Sequence, residues 1–180
     1  MPASGDRARR WGWHQLSDRW AERVVAEAGI RPGELVLDVG AGTGALTGPL
    51  VDAGARVIAI ELHPDRLDAL RRRFGDGTVK VVKADAGSLR LPRRPFRVVA
   101  NPPFAVTSPL LRRLLAPGSR LVAADLVLPR PAAVRWASGR APGAGRWQRS
   151  HHIGIGRRLP RTAFDPPAPV DCHTMVIRRR

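Results

Sequence analysis

Short apolar runs alternate with amphipathic segments along most of the chain. Five runs have the length of buried strands, at 35–39, 56–60, 79–82, 96–100 and 120–128. The segments between them have helical spacing, at 18–28, 45–53, 64–74 and 108–115. In the first helix Trp20, Val24, Val25 and Ala28 share one face, and Ser17 or Asp18 can cap its start. The alternation predicts βαβ units and a buried parallel sheet.

The pattern becomes less regular after residue 129. A short helix is expected near 134–138, and the Pro/Gly-rich stretch 141–145 is expected to be a flexible loop. Two late strands are expected at 153–157 and 174–178, separated by the proline-dense stretch 160–169. The resulting fold class is α/β and Rossmann-like, a mainly parallel seven-stranded sheet with helices on both faces.

Length and composition restrict the class of protein. A chain of 180 residues with 43% hydrophobic residues suits one folded domain. One cysteine, Cys172, excludes an internal disulfide, and the five histidines lack metal-ligand spacing, so no metal is expected. The charged N-terminus is unlike a signal peptide, and no apolar stretch is long enough to span a bilayer. We expect a cytoplasmic, monomeric protein that does not contact membranes.

Charge is distributed unevenly along the chain, whose net charge is +16. Residues 1–85 hold 13 basic and 12 acidic groups, whereas residues 86–180 hold 18 basic and 3 acidic groups. This distribution favours a small ligand bound by the nearly neutral first half and a polyanion bound by the cationic second half. Because only two of the basic residues are lysines, the arginine bias can instead reflect genome composition. That bias does not explain the scarcity of carboxylates.

A glycine-rich turn, Gly40-Ala41-Gly42-Thr43-Gly44, follows the first strand. Glycines at this point let backbone approach a nucleotide-type cofactor. No Lys-Ser/Thr follows, so the turn is not a P-loop, and Asp38 before it suits an amine-bearing ligand.

Two carboxylates follow the next two strands. Glu61 is expected to accept hydrogen bonds from both hydroxyls of a ribose, and Asp85 to accept one from an adenine amine. The alternatives are a solvated or helix-capping Glu61 and a loop-capping Asp85.

The tetrapeptide Asn101-Pro102-Pro103-Phe104 ends the fourth strand, at the sheet edge where ligands bind in open α/β folds. An aromatic amine is a poor nucleophile because its lone pair is delocalised. The Asn101 side-chain oxygen and the Pro102 carbonyl can accept the two amine hydrogens and expose that lone pair. Phe104 can stack on an extruded base. We therefore expect Asn101, Pro102 and Phe104 to be catalytic residues for methyl transfer to an amine.

These motifs resemble the erythromycin-resistance (Erm) family of rRNA adenine-N6 methyltransferases and, more widely, the small-subunit rRNA adenine dimethyltransferases. The similarity covers 35–44, 60–61, 84–86, 98–104, 126–135, 159–164 and 170–171. It implies a class I methyltransferase that uses S-adenosyl-L-methionine to methylate one adenine of 23S rRNA and confers macrolide-lincosamide-streptogramin resistance. The substrate would be the rRNA or a large-subunit assembly intermediate. The implied cofactor-binding residues are His14, Leu16, Gly40, Ala41, Gly42, Glu61, Leu62, Asp85, Ala86 and Asn101.

The chain departs from the family pattern at three places. Trp13-His14-Gln15-Leu16 replaces the usual Gln-Asn/His-Phe-Leu, and Pro102 stands where most members have Leu or Ile. Members of the family usually carry a helical C-terminal domain, and no counterpart of it is expected here. The expected domain organisation of the chain is a basic Trp/Arg-rich segment over 1–17 followed by a catalytic domain over 18–180. RNA contacts are then expected from Arg7, Arg9, Arg10, Arg112, Arg113, Arg130, Arg135 and Arg161.

Other interpretations remain open from the residues alone. Asn-Pro-Pro-aromatic motifs also serve methylation of adenine in DNA or of glutamine in protein, although the basic half disfavours a protein substrate. A non-catalytic RNA-binding factor with this fold is the third possibility. The tryptophans in basic stretches, Trp11, Trp13, Trp136 and Trp147, can stack on bases or pack against the sheet.

Overall fold

The computed structural model describes residues 14–75 and 77–180. The α-helices are α1 Asp18–Ala28, α2 Thr47–Asp52, α3 Pro64–Arg73, α4 Thr107–Leu114, α5 Arg130–Ala137 and α6 Ala144–Trp147. The strands are β1 Gln15–Leu16, β2 Leu35–Val39, β3 Arg56–Glu61, β4 Val79–Lys83, β5 Phe96–Ala100, β6 Leu121–Pro129, β7 His151–Leu159, β8 Phe164–Asp165 and β9 Cys172–Arg179. Phe104–Val106 and Arg161–Ala163 form 3₁₀ turns. No helix of these two ranges is both long and apolar enough to cross a membrane.

Seven strands form the central sheet, in the order β4-β3-β2-β5-β6-β9-β7. Neighbours from β4 to β6 pair in parallel, whereas β9 is antiparallel to both β6 and β7. The predicted mainly parallel, seven-stranded α/β fold is confirmed. Since the chain order reverses between β2 and β5, the carboxyl ends of these strands border the crevice where ligands bind in such sheets.

Helices cover both faces of the sheet. On one face the apolar sides of α1, α2 and α3 pack on β2 and β3, with Val24, Leu50 and Leu70 buried. On the other face α4 and α5 pack on β5 and β6, with Leu110 and Trp136 buried. Both faces of the parallel strands are therefore covered, which explains why β2 and β5 are buried at every position.

Several elements differ from the sequence-based expectation. Helix α2 begins at Thr47 rather than 45, because Gly44 has a positive φ of 97° and the chain turns there. A short helix, α6, occupies part of the expected flexible loop 141–145 and continues to Trp147. Its start is buried at Ala144, so tertiary packing orders a segment whose composition predicts a loop. Strands β7 and β9 are longer than expected because they pair over most of their lengths.

The two later tryptophans pack inside the protein. The rings of Trp136 and Trp147 stack with centroids 5.3 Å apart, and both residues are buried. Of the two open interpretations, packing is the correct one for this pair, since buried rings cannot stack on RNA bases. Trp11 and Trp13 lie outside the described residues.

A small second sheet joins the two ends of the sequence. Gln15 pairs with Asp165 and Leu16 with Phe164, in antiparallel register. Neither strand was expected, because two-residue strands carry no periodic signal. The pairing places residues 14–17, expected to belong to the N-terminal segment, against the catalytic fold.

A buried guanidinium connects α1 to the sheet. Arg97, on β5, donates to the carbonyls of Ala28 and Gly29 at the end of α1 and to Glu34 at 3.0 Å. Asp125 lies 3.9 Å from the same group and also receives two hydrogen bonds from Arg178. Burial by itself raises the pKa of Glu34, but hydrogen bonds from Arg31 and Arg97 lower it below its usual value. The network therefore holds ionised groups in the interior.

Replacing Arg97 by Met should lower the free energy of unfolding by about 3 kcal/mol, because Glu34, Asp125 and two helix-end carbonyls lose a buried partner. Urea unfolding followed by circular dichroism measures the change. The control is Arg157→Met, which removes a surface ion pair with Glu27 and should change stability little. Equal losses in the two variants would contradict a structural role for the buried network.

Candidate active site

A cavity of about 420 Å³ lies at the carboxyl ends of β3 and β4, bordered by the residues that follow β2 and β5. This volume lies within the range of small-molecule sites. Six of the residues predicted for the cofactor or the target base line it: Gly40, Glu61, Leu62, Asp85, Ala86 and Phe104. The structure thus brings together side chains from four separate strand ends.

Gly40 is the point where the tips of β2 and β5 meet. Its φ is 74°, a value that favours glycine, and a Cβ there would lie 2.8 Å from Cδ of Pro103. The N–H groups of Gly40 and Ala41 both donate to the Ile60 carbonyl. Gly40 also lines two small hollows beside the main cavity, so a side chain here would fill the centre of the site.

Glu61 is buried and already accepts three backbone hydrogen bonds. Its Oε1 accepts the N–H groups of Leu62 and His63, and Oε2 accepts that of Gly42 at 2.8 Å. A carboxylate has about four acceptor positions, so one remains on Oε2. A ribose hydroxyl can use this position, whereas binding of both hydroxyls, as expected from the sequence, would require the second hydroxyl to replace a backbone N–H. Glu61 also holds the glycine turn against β3.

Asp85 caps a loop and also lines the cavity. Its Oδ1 accepts the N–H of Gly87 at 2.6 Å, which caps the loop after β4. Its carboxylate also borders the main cavity, beside the buried Ala86. No other hydrogen bond to the Asp85 side chain is present within 14–75 and 77–180, so Oδ2 can accept one from a ligand.

Asp38 is a buried carboxylate next to the glycine turn. Oδ2 accepts a hydrogen bond from the Thr47 hydroxyl at 2.6 Å, whereas Oδ1 has no partner in the described part of the chain. Burial raises the pKa of Asp38 to about 7, and the negative charge of Glu61 adds to that rise. Since Asp38 lines the hollow between Gly42 and Asn101, a cationic ligand group would stabilise its ionised form.

The amide orientation of Asn101 is set by the N-terminal segment. Asn101 Nδ2 donates to the carbonyl of His14 at 2.7 Å. With the nitrogen engaged, Oδ1 remains available as an acceptor, and Asn101 lines the two small hollows that Gly40 also borders. An amide held in this way is compatible with the amine-accepting role expected from the sequence.

Pro102 and Phe104 lie beside Asn101. Pro102 is buried, and its carbonyl accepts no hydrogen bond from any described residue. The ring of Phe104 stacks on that of His14, with centroids 5.9 Å apart and an angle of 23°. His14 therefore occupies one face of Phe104, and an incoming base can use only the other face or must displace His14.

The remaining predicted cofactor residues line the small hollows. Leu16, Ala41 and Gly42 border the hollow that contains Asp38, and His14 borders the one that contains Asn101 and Phe104. Leu16 is buried, and its contribution is mainly to the core beneath the turn.

The sequence interpretation missed several residues of the site. Arg66 and His63 line the main cavity, and Gln15 accepts a hydrogen bond from Thr43 of the glycine turn at 2.8 Å. Burial lowers the pKa of Arg66, while the charges of Glu61 and Asp65 raise it. Only the placement of α3 beside the cavity reveals Arg66, because no motif contains it. Gln15 could have been suggested by its position beside His14 in the N-terminal motif.

The predicted RNA-contacting arginines fall into two groups. Arg113 donates to the carbonyls of Gly87 and Leu89, and Arg161 donates to that of Ala168, so both support loops. The others within the described ranges are exposed, with no side-chain hydrogen bond or ion pair there: Arg112, Arg130 and Arg135. Arg7, Arg9 and Arg10 lie outside the described residues. Across 14–75 and 77–180 no group of three or more His, Cys, Asp or Glu residues could hold a metal ion.

Comparison with known sequences identifies relatives over nearly the whole chain. The mycinamicin-resistance protein MyrB of Micromonospora griseorubida is 37% identical over 99% of this chain and 58% of its own length. An rRNA adenine N-6-methyltransferase of Bacillus licheniformis is 32% identical over 88% of this chain and 57% of its own length. The chain thus spans somewhat more than half the length of these relatives.

Solved structures agree with the sequence comparison. The crystal structure of the 23S rRNA methyltransferase ErmE superposes with a TM-score of 0.83 at 29% identity, covering 92% of this chain and 69% of that one. A dimethyladenosine transferase from Plasmodium falciparum gives a TM-score of 0.81 at 23% identity over 93% of this chain and 64% of its own, which supports the fold.

The sequence profile of a family described as ribosomal RNA adenine dimethylase matches residues 9–150. That range contains the glycine turn, both carboxylates and the Asn101–Phe104 corner. The fold is accordingly that of a Rossmann-like class I methyltransferase, and the chain belongs to the ribosomal RNA adenine dimethylase family.

Proposed function

We propose that this protein transfers a methyl group from S-adenosyl-L-methionine to the N6 amine of an adenine in 23S rRNA. The observation that carries the proposal is the hydrogen bond from Asn101 Nδ2 to the His14 carbonyl, which leaves Oδ1 as the free acceptor of a side chain that lines the hollow beside Gly40. A hydrogen-bond acceptor fixed at this point can hold an exocyclic amine against the cofactor cavity.

The residues of the cavity fit the proposed cofactor. Asp38 Oδ1 is a buried acceptor without a partner in the described ranges, as an amino-acid ammonium group requires. Glu61 retains one acceptor position for a ribose hydroxyl, and Asp85 has a free oxygen for an adenine amine. The cavity between them is mostly apolar, lined by Ile60, Ala84 and Val106 among others, and can enclose an adenine ring.

The cofactor supplies an electrophilic methyl group on a sulfonium sulfur. Asn101 Oδ1 and the Pro102 carbonyl accept the two hydrogens of the adenine amine, which turns its lone pair toward the methyl group. Methyl transfer would leave the cofactor as a neutral thioether and the adenine nitrogen as an ammonium, which would release its proton to water. Because that ammonium is acidic, no strong base is needed. Alignment of the reacting atoms supplies most of the rate gain.

The choice of 23S rRNA rests on the relatives and on charge. MyrB is named for mycinamicin resistance, and ErmE is titled a 23S rRNA methyltransferase. Two exposed arginines on α5, which follows β6, can bind phosphates, since neither Arg130 nor Arg135 forms an ion pair with another described residue. Resistance to macrolide-type antibiotics follows if the target adenine lies at their binding site. The proposal implies a cytoplasmic protein that acts as a monomer.

The direct test incubates the protein with labelled cofactor and unmodified 23S rRNA, with 16S rRNA as a parallel substrate. Methyl incorporation followed by primer-extension mapping identifies the nucleotide. Label in a single 23S adenine is the expected result. Label only in 16S rRNA would overturn the choice of substrate, and tight cofactor binding without label in either RNA would favour a non-catalytic RNA-binding factor.

Asn101→Ala should reduce methyl transfer by about 100-fold, since the amine loses its fixed acceptor. Thermal unfolding of the variant should remain close to that of the wild type, because Asn101 makes one internal hydrogen bond. Asn101→Asp keeps an acceptor but cannot donate to His14, and it should retain an intermediate rate. A wild-type rate in Asn101→Ala would refute the assigned role.

The pKa of about 7 for Asp38 predicts pH-dependent cofactor binding. The ionised carboxylate binds the ammonium group, so affinity should weaken by roughly tenfold as the pH falls from about 8 to about 6. Isothermal titration at several pH values measures this. Asp38→Asn should bind the cofactor more weakly at pH 8 and lose most of the pH dependence.

Asp38 should also change how the stability of the ligand-free protein depends on pH. A raised carboxyl pKa means that the folded state holds a proton which the unfolded state has released, so this group's contribution to stability falls as pH rises from about 4 to about 7. Asp38→Asn should therefore be more stable than the wild type at pH 8 and nearly equal to it at pH 4. The opposite order would show that Asp38 is not buried as a proton-binding group.

A further inference from the structure

The amino ends of the strands form a second edge, opposite the active site. The parallel strands β3 to β6 begin at this edge, β7 begins there too, and antiparallel β9 ends there, since His151 pairs with Arg179. Basic residues stand on or next to the strands at this edge: Arg56, Lys80, Arg93, Arg94, Arg120, Arg149, Arg179 and Arg180. We name this set the amino-end ridge.

The ridge spans the whole sheet. Seven strands spaced about 4.8 Å apart extend for about 29 Å, and each strand except β2 contributes at least one cation. None of these residues could be assigned to one surface from the sequence, because they are scattered over more than 120 positions. Strand order and direction alone bring them together.

The cations of the ridge are not neutralised by neighbouring carboxylates. All eight side chains are exposed, and none makes a hydrogen bond or ion pair within 14–75 and 77–180. The carboxylates nearest in the sheet, Glu34 and Asp125, are already bound by Arg97 and Arg178. By contrast, arginines on the outer part of β7 are paired, Arg157 with Glu27 and Arg158 with Asp171.

Two further observations indicate positive potential at this edge. His151 lies beside Arg179, and its pKa is lowered first by burial and second by that positive charge. A hollow of about 260 Å³ is lined by the exposed Arg56 and Arg94, by the exposed Val122, and by Arg97 and Glu34, which pair with each other. A concave surface with two unpaired guanidinium groups suits phosphate, which arginine binds through two parallel hydrogen bonds.

We propose that the amino-end ridge binds the sugar–phosphate backbone of a second segment of the substrate RNA, remote from the target adenine. The inference rests on the proposed function for the identity of the polyanion. RNA is favoured over an acidic protein because a row of about 29 Å of unpaired cations matches an extended polyanion, and arginine predominates in it.

The geometry also defines which RNA can use the ridge. The two edges are separated by the length of the strands, at least about 17 Å for five residues. A hairpin just large enough to present the adenine at Asn101 cannot reach the opposite edge as well. Only a folded RNA whose neighbouring helix passes around the sheet contacts both, so the ridge would select large structured RNA over short substrates.

The test compares two double variants of the ridge, Arg94→Gln/Arg120→Gln and Arg56→Gln/Lys80→Gln, with Arg19→Gln/Arg72→Gln. The control changes two exposed arginines on α1 and α3, so the loss of charge is equal. Equilibrium binding to a folded 23S rRNA domain and to the minimal hairpin is measured over a series of salt concentrations. Cofactor affinity and circular dichroism monitor the fold of each variant.

For the folded domain, each ridge double variant should bind at least about tenfold more weakly, and the slope of log affinity against log salt should fall by about two. Hairpin affinity should change much less, and the control should resemble the wild type on both RNAs. An unchanged slope, or equal losses on domain and hairpin, would overturn the proposal. The proposal would also be overturned if polyglutamate or anionic vesicles competed with the bound RNA as effectively as unlabelled RNA does.

The outcomes separate this proposal from the proposed function. If the wild type fails to methylate rRNA while the ridge variants show the reduced salt slope, the ridge stands as an RNA surface and the enzymatic proposal falls. If methylation proceeds and the slope is unchanged, the enzymatic proposal stands and the ridge does not bind RNA.

Discussion

The active site depends on the absence of a side chain at Gly40. A Cβ there would lie 2.8 Å from Pro103, so the tip of β2 could not approach the tip of β5 as closely. That approach places the main cavity next to Asn101 and lets Gly40 border all three hollows of the site. The proposed methyl transfer needs donor and acceptor atoms aligned within a short distance, and this backbone contact brings the two regions proposed to bind them together.

The N-terminal segment and the late part of the chain jointly complete this corner. Pairing of β1 with β8 holds His14 where its carbonyl accepts the Asn101 amide and its ring covers Phe104. His14 Nδ1 is itself 3.1 Å from the Pro166 carbonyl. The stretch 159–164 therefore acts through structure: it leads into β8, the strand that holds the N-terminal residues beside the Asn101 amide.

Charge is organised by topology as well. Part of the cationic excess of the second half is neutralised on β7, where Arg157 pairs with Glu27 and Arg158 with Asp171. Much of the rest lies unpaired at the amino ends of β5, β6 and β7 and the carboxyl end of β9, where Arg56 and Lys80 from the first half add to it. In the interior a guanidinium group stabilises the fold, since Arg97 links the end of α1 to Glu34 and Asp125. Arginine thus has three distinct roles, set by burial and by the partners available.

The sequence by itself determined the α/β class, the positions of most strands along the chain and the motifs at their ends. Apolar runs and glycine turns are local signals of buried strands and tight bends. Residues such as Glu61, Asp85 and Asn101 could be placed at one edge for the same reason. Tertiary structure alone decided how they are used: Glu61 has most of its acceptor capacity taken by backbone, and Asn101 is oriented by His14. It also decided the burial of Trp136 and Trp147, the β1–β8 pair and the amino-end ridge, because contacts between distant residues leave no periodic trace in the chain.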